Sequence, residues 1–288
     1  MEPVITVGLD GSPESMAAAH WAADEAERRK LTLRLMHAWP MLVPEPTRIP
    51  SEIDQNYWAR RLVHHAQAEL QARHPGLVIV GNLVADDAQD ALLKAASESE
   101  LTVLGSRGLA PAESYFLGSI GVAVVARAAQ PVVLVRPASR EGGPSPAPGG
   151  IVVALKLHGP CDELLAFAFA SATARDVPLQ VVHGRSLPMH AHTPWGVDHG
   201  LTSKLTEEAQ QQLDQVLHPW REKFPSMKPA VVIRLESPAQ AVLRAAEGAG
   251  LLVVGRRKQR PALAPRLGPV AHAALHHARC PVAVVPHD

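Results

Sequence analysis

Gly105-Ser106-Arg107-Gly108, nine further residues, then Gly118-Ser119 stands directly behind a short apolar run, Leu101-Thr102-Val103-Leu104. It opens into Ile120-Gly121-Val122-Ala123-Val124-Val125-Ala126. The order is strand, glycine-rich loop, helix. Glycines let the backbone come close to an anion, and the free N–H groups at a helix start donate to it with the dipole behind them. Ser119 adds a hydroxyl at the same place. The stretch therefore predicts a phosphate-cradling loop.

The same segment recurs in altered form. Leu104-Gly105-Ser106-Arg107-Gly108 returns as Val254-Gly255-Arg256-Arg257-Lys258, and Leu117-Gly118-Ser119 as Leu267-Gly268-Pro269. Gln130-Pro131-Val132-Val133-Leu134-Val135 returns as Cys280-Pro281-Val282-Ala283-Val284-Val285. Val7-Gly8-Leu9-Asp10 pairs with Val153-Ala154-Leu155-Lys156, and Leu35-Met36-His37-Ala38 with Val181-Val182-His183-Gly184. Two copies of one domain lie in tandem. The 288 residues suit a domain over 1–138 and another over 151–288. The Pro/Gly/Ser-rich stretch between them predicts a linker at 139–150.

Within the first copy, apolar runs and helical periodicities alternate. Strands are expected at Val4–Leu9, Leu31–His37, Leu77–Val84, Leu101–Leu104 and Val132–Val135. Ser12 and Pro13 supply an N-cap and a first-turn proline for a helix to about Arg29, with Met16, Ala19, Ala23 and Ala26 toward the sheet. Further helices are expected at Glu52–Arg73, Ala88–Ser99 and Ile120–Ala128. Strands apolar throughout and joined by helices predict an α/β fold with a parallel sheet covered on both faces. Right-handed crossovers then gather Asp10, the end of strand two at His37-Ala38, and the glycine loop beyond the carboxyl ends of the strands. His37 and His183, at equivalent strand ends, are expected to hydrogen-bond within the fold.

Composition narrows the partners. Lys plus Arg and Asp plus Glu number 28 each, so no global basic field favours nucleic acid or an anionic membrane. No apolar run reaches the ~20 residues of a membrane span, and no signal-peptide pattern is present, so a cytoplasmic protein is expected. Cys161 and Cys280 form no CxxC pair and read as small core residues. The 15 histidines include His272 and His276 at helical spacing, yet no third ligand is spaced to complete a metal site. No P-loop lysine motif or nucleophile elbow occurs, so no catalytic residue is assigned.

The start Val-Gly-Leu-Asp-Gly-Ser, the spacing Gly-x2-Gly-x9-Gly-Ser and the closing Pro-Val-x-x-Val strand resemble the universal stress protein family in its tandem form. The resemblance implies a five-stranded, Rossmann-like fold in each half, binding ATP with or without Mg2+. It implies that Gly8, Asp10 and Ala38 meet ribose and adenine. Gly105, Ser106, Arg107 and Gly108, with Gly118, Ser119 and Ile120, would meet the phosphates. It further implies last strands that pair within the chain as a pseudo-dimer, building into a homodimer. The second copy has Lys156 for Asp10, Lys258 for Gly108 and Pro269 for Ser119, so one competent site, in the first copy, is expected. The function implied is an ATP-binding stress-response regulator with an unknown protein partner. A nucleotide-independent scaffold and a slow ATPase are the alternatives.

Overall fold

The computed structural model describes residues 3–39, 52–106, 119–137, 149–188, 191–193, 196–197, 199–259 and 266–288. The chain divides into two compact units, Met1–Ser145 and Pro146–Asp288.

The first unit runs β1 (Val4–Gly8), α1 (Pro13–Arg29), β2 (Thr32–Trp39), α2 (Glu52–Arg73), β3 (Ile79–Ala85), α3 (Ala88–Ser97), β4 (Leu101–Gly105), α4 (Ser119–Arg127) and β5 (Val132–Val135). Every strand pair is parallel, and the order is β3-β2-β1-β4-β5. The strand order reverses at β1, which has β2 on one side and β4 on the other. Helices on both faces explain why Leu101–Leu104 and Val132–Val135 are buried throughout.

Helix α1 shows how local sequence sets an element. Ser12 caps it by accepting from the Ser15 N–H at 3.1 Å, Pro13 opens it, and Lys30 closes it in the left-handed region. The buried stripe is Ala18, Ala19, Ala22, Ala23 and Ala26; Met16, expected on it, is only half-buried. Alanines bring the helix axis close to β1 and β4. Leu77, expected to begin the third strand, instead lies in a turn and donates its N–H to the His74 carbonyl, so β3 starts at Ile79.

The second unit repeats the plan: β6 (Ile151–Ala154), α5 (Asp162–Arg175), β7 (Leu179–Gly184), a small hairpin β8 (His192–Thr193) and β9 (Gly196–Val197), α6 (His199–Lys223), β10 (Ala230–Arg234), α7 (Pro238–Ala245), β11 (Leu251–Arg257), α8 (Pro269–His277) and β12 (Val282–His287). Its parallel sheet has the order β10-β7-β6-β11-β12. Here α5 packs through larger residues, and Phe169 stacks on Trp220 at 5.6 Å.

Candidate functional site

In an open parallel sheet, the crevice at the carboxyl ends of two strands that diverge from a reversal in strand order is where ligands lodge. In the first unit those strands are β1 and β4, and the residues at their ends are Gly8-Leu9-Asp10 and Gly105-Ser106.

Asp10 is exposed and held by its own turn. Its Oδ1 accepts from the Ser12 N–H at 2.9 Å and from the Ser12 hydroxyl. The Ser15 hydroxyl donates to the Ser12 carbonyl at 2.9 Å, bracing the arrangement. Partial burial pushes the Asp10 carboxyl up, but the Ser12 hydroxyl and N–H, with Ser15 behind them, hold it below the ordinary carboxylate range. Asp10 is thus an anion with one oxygen tied down. Both Ser12 bonds fall on the same oxygen. That is the chemistry of an acceptor for a sugar hydroxyl or a base amine, not of a phosphate ligand.

Two glycines shape the wall. Gly11 has φ +83, in the left-handed region, and a Cβ there would stand 3.0 Å from Leu62 Cδ1 of α2. A Cβ on Gly105 would lie 2.5 to 2.6 Å from the Glu14 carbonyl group and the Ser15 nitrogen. Those are backbone atoms in the first turn of α1, which cannot swing aside. Gly105 therefore lets the end of β4 lie against the start of α1. Gly8 sits under Leu104 and Leu92, whose side chains close over it.

Beyond Gly105, Ser106 donates its N–H to the Val135 carbonyl at 2.8 Å. Its side chain is buried, and the hydroxyl finds no partner among the described residues. A buried, unpaired hydroxyl at the start of this loop fits an acceptor oxygen of a phosphate. Ser119 opens α4 and Ile120, 40% exposed, follows it. Arg107, Gly108 and Gly118 lie outside the described residues. At the end of β2, the His37 Nδ1 donates to the Leu9 carbonyl at 2.7 Å, tying β2 to β1 beside Ala38. His183 repeats this on Leu155 at 2.9 Å, so the hydrogen bonds expected for both histidines are present.

At the same strand ends of the second unit, described residues pair with one another. Strands β11 and β12 remain paired through Arg256 with Pro286 and Arg257 with His287, whereas β5 ends at Val135. The Lys258 N–H donates to the His287 carbonyl at 2.8 Å, and its ammonium meets Glu163 at 3.1 Å. The His287 ring lies where a side chain on Gly255 would go, 2.5 Å from that Cβ position, and its Nδ1 is 3.0 Å from the Pro160 carbonyl. Pro269 opens α8 with no side-chain cap from Gly268. The three substitutions were legible in the sequence. The roles of His287 and Glu163 were not, although Arg136-Pro137 against Pro286-His287 was a visible difference between the copies.

Burial, with Asp162 and Glu163 nearby, pushes the Cys161 thiol up to about 11, far from a reactive thiolate. The His272 and His276 rings stand 4.3 Å apart, but among the described residues no three His, Cys, Asp or Glu converge as a metal site. No described helix is long and apolar enough to cross a membrane.

Comparison with known proteins agrees with the duplication. The model of the universal stress protein family matches residues 2–136 and again 150–286. A universal stress protein of Mycobacterium tuberculosis is 31% identical over 290 residues, covering 97% of this chain and 96% of its own length. A second from that organism is 29% identical over 289 residues, covering 97% and 95%. A crystal structure of a universal stress protein from Archaeoglobus fulgidus superposes with a TM-score of 0.68 at 16% identity, over 99% of this chain and 98% of that one.

Proposed function

Because the chain belongs to the universal stress protein family, with one copy of its domain in each half, we propose that its N-terminal unit binds a single adenine nucleotide per chain. The protein is read as an ATP-binding stress-response regulator of the cytoplasm, with nucleotide occupancy acting as a conformational or assembly signal. The observation that carries this reading is the contrast between the units. One presents a fixed carboxylate at Asp10 beside the Gly105–Ser106 turn with its unpaired buried hydroxyl. The other has Lys156 at the first position and His287 against the second.

The residues fit the nucleotide in two parts. Asp10 and Ala38, at the ends of β1 and β2, would hold ribose and base. Ser106, the start of α4 at Ser119-Ile120, and the loop residues Arg107, Gly108 and Gly118 would hold phosphates, with Mg2+ as a companion ion of ATP. When bound, the nucleotide would supply negative charge and hydrogen-bonding groups to these residues; chemistry on it is not needed for the signal.

The test is to denature protein purified without added nucleotide, identify what is released, and titrate ATP, ADP and AMP calorimetrically into wild type and Asp10→Ala. Near one nucleotide per chain, lost in the variant, is the expected result. No release and no binding would sink the reading. The scaffold alternative draws support from the second unit, where Lys156 stands in place of Asp10 and Lys258 pairs with Glu163. Assembly as a homodimer of tandem chains is proposed alongside, and sedimentation velocity with and without ATP tests it.

A further inference from the structure

We propose that Trp58 is an aromatic shelf at the mouth of the N-terminal site, stacking on the base of the nucleotide; this rests on the nucleotide-binding reading given above. Strand β2 ends at the carboxyl rim of the sheet. Helix α2 starts beyond that rim and runs back along the sheet to deliver the chain to β3. Its Leu62 reaches the rim itself, with Cδ1 3.0 Å from the Cβ position of Gly11, next to Asp10. The residue one turn earlier on the same helical stripe is Trp58, about 6 Å nearer the helix start. Trp58 thus lies one turn beyond the rim that Leu62 marks, on the helix that passes beside Gly11.

Its environment fits a ligand better than a core. Ala59, Val63, Ala66 and Leu70, on the sheet-facing side of α2, are at most 4% exposed, whereas Trp58 is 62% exposed and Tyr57 57%. The Tyr57 ring meets Trp58 edge-on at 5.6 Å, and the Arg61 guanidinium lies over the indole at 5.6 Å from its centroid. Two neighbours therefore brace the ring while most of its area stays open to water. An indole so held is a flat apolar surface with a cation behind it, matched to an electron-poor heterocycle that carries negative charge on its other end. Asp10 would then recognise the sugar and Trp58 the base.

The experiment titrates the full chain with AMP and, separately, with ribose 5-phosphate, using wild type, Trp58→Ala and Trp58→Phe. Stacking predicts that Trp58→Ala weakens AMP roughly 5- to 100-fold. Ribose 5-phosphate affinity should stay unchanged, and Trp58→Phe should recover most of the AMP loss. Circular dichroism should be unchanged, since the side chain is exposed. If Trp58→Ala binds AMP as wild type does, or loses both ligands equally, the shelf is overturned while the site stands. If wild type binds neither ligand, the nucleotide reading itself fails and the shelf falls with it.

Discussion

The imidazole of His287 rests on Gly255, filling the space that the first unit gives over to the contact between Gly105 and the start of α1. A histidine from the strand next to the glycine loop has become part of the wall. The two units thus differ at this place in side-chain packing as well as in the residue at Asp10 and Lys156.

Removing that ring should cost stability without restoring a second site. His287→Ala loses the hydrogen bond to Pro160 and the contact with Gly255, for about 1 kcal/mol. Lys156 and Pro269 remain, so nucleotide stoichiometry should not rise. Urea denaturation and calorimetric titration of the same preparation measure both.

Gly105→Ala should damage the first unit at its site. Its methyl group would press on the Glu14 and Ser15 backbone, forcing the end of β4 away from α1. A destabilisation of roughly 1–3 kcal/mol is expected, together with at least tenfold weaker AMP binding. Gly121→Ala, where nothing lies within 4 Å of the new methyl, serves as the control.

Arg34 should prove a keystone of the first sheet. It donates to the Thr6 hydroxyl at 2.8 Å, the Ala95 carbonyl at 3.0 Å and the Ser99 hydroxyl at 3.0 Å, and pairs with Glu98 at 3.0 Å. Arg34→Ala strands these partners and should cost about 3 kcal/mol. The second unit has Gln180 at the matching place, so chemical denaturation should lower the first unit's transition and leave the other in place.

His183 sets a pH dependence whose sign is fixed. Burial pushes its imidazole below the ordinary 6.5, the hydrogen bond to Leu155 opposes this, and Arg185 and His158 add to the lowering. The unfolded chain therefore takes up a proton that the folded unit resists. Stability is full above pH 6.5 and falls as pH drops toward the folded value. His183→Gln, which keeps an N–H donor for Leu155, should flatten the acid side of the stability curve below about pH 6.5. Denaturation midpoints measured across that range check it.

The amino-acid sequence by itself determined the elements and their duplication. Ser12-Pro13 marks the start of α1, the apolar runs mark buried parallel strands, and the matched segments mark two copies, because caps and periodicity act within a few residues. It also marked Asp10 against Lys156 and Ser119 against Pro269, since aligned copies expose a changed residue type. Only the tertiary structure decided that Leu62 abuts Gly11, that Lys258 pairs with Glu163, and that His287 lies on Gly255. These contacts join residues brought to one rim by separate crossover connections, and no periodicity in the chain records which side chains meet there. Packing decided the rest: the same histidine at two strand ends makes the same hydrogen bond, yet beyond it Gly105 lies against the start of α1 in one unit and Gly255 lies under the His287 ring in the other.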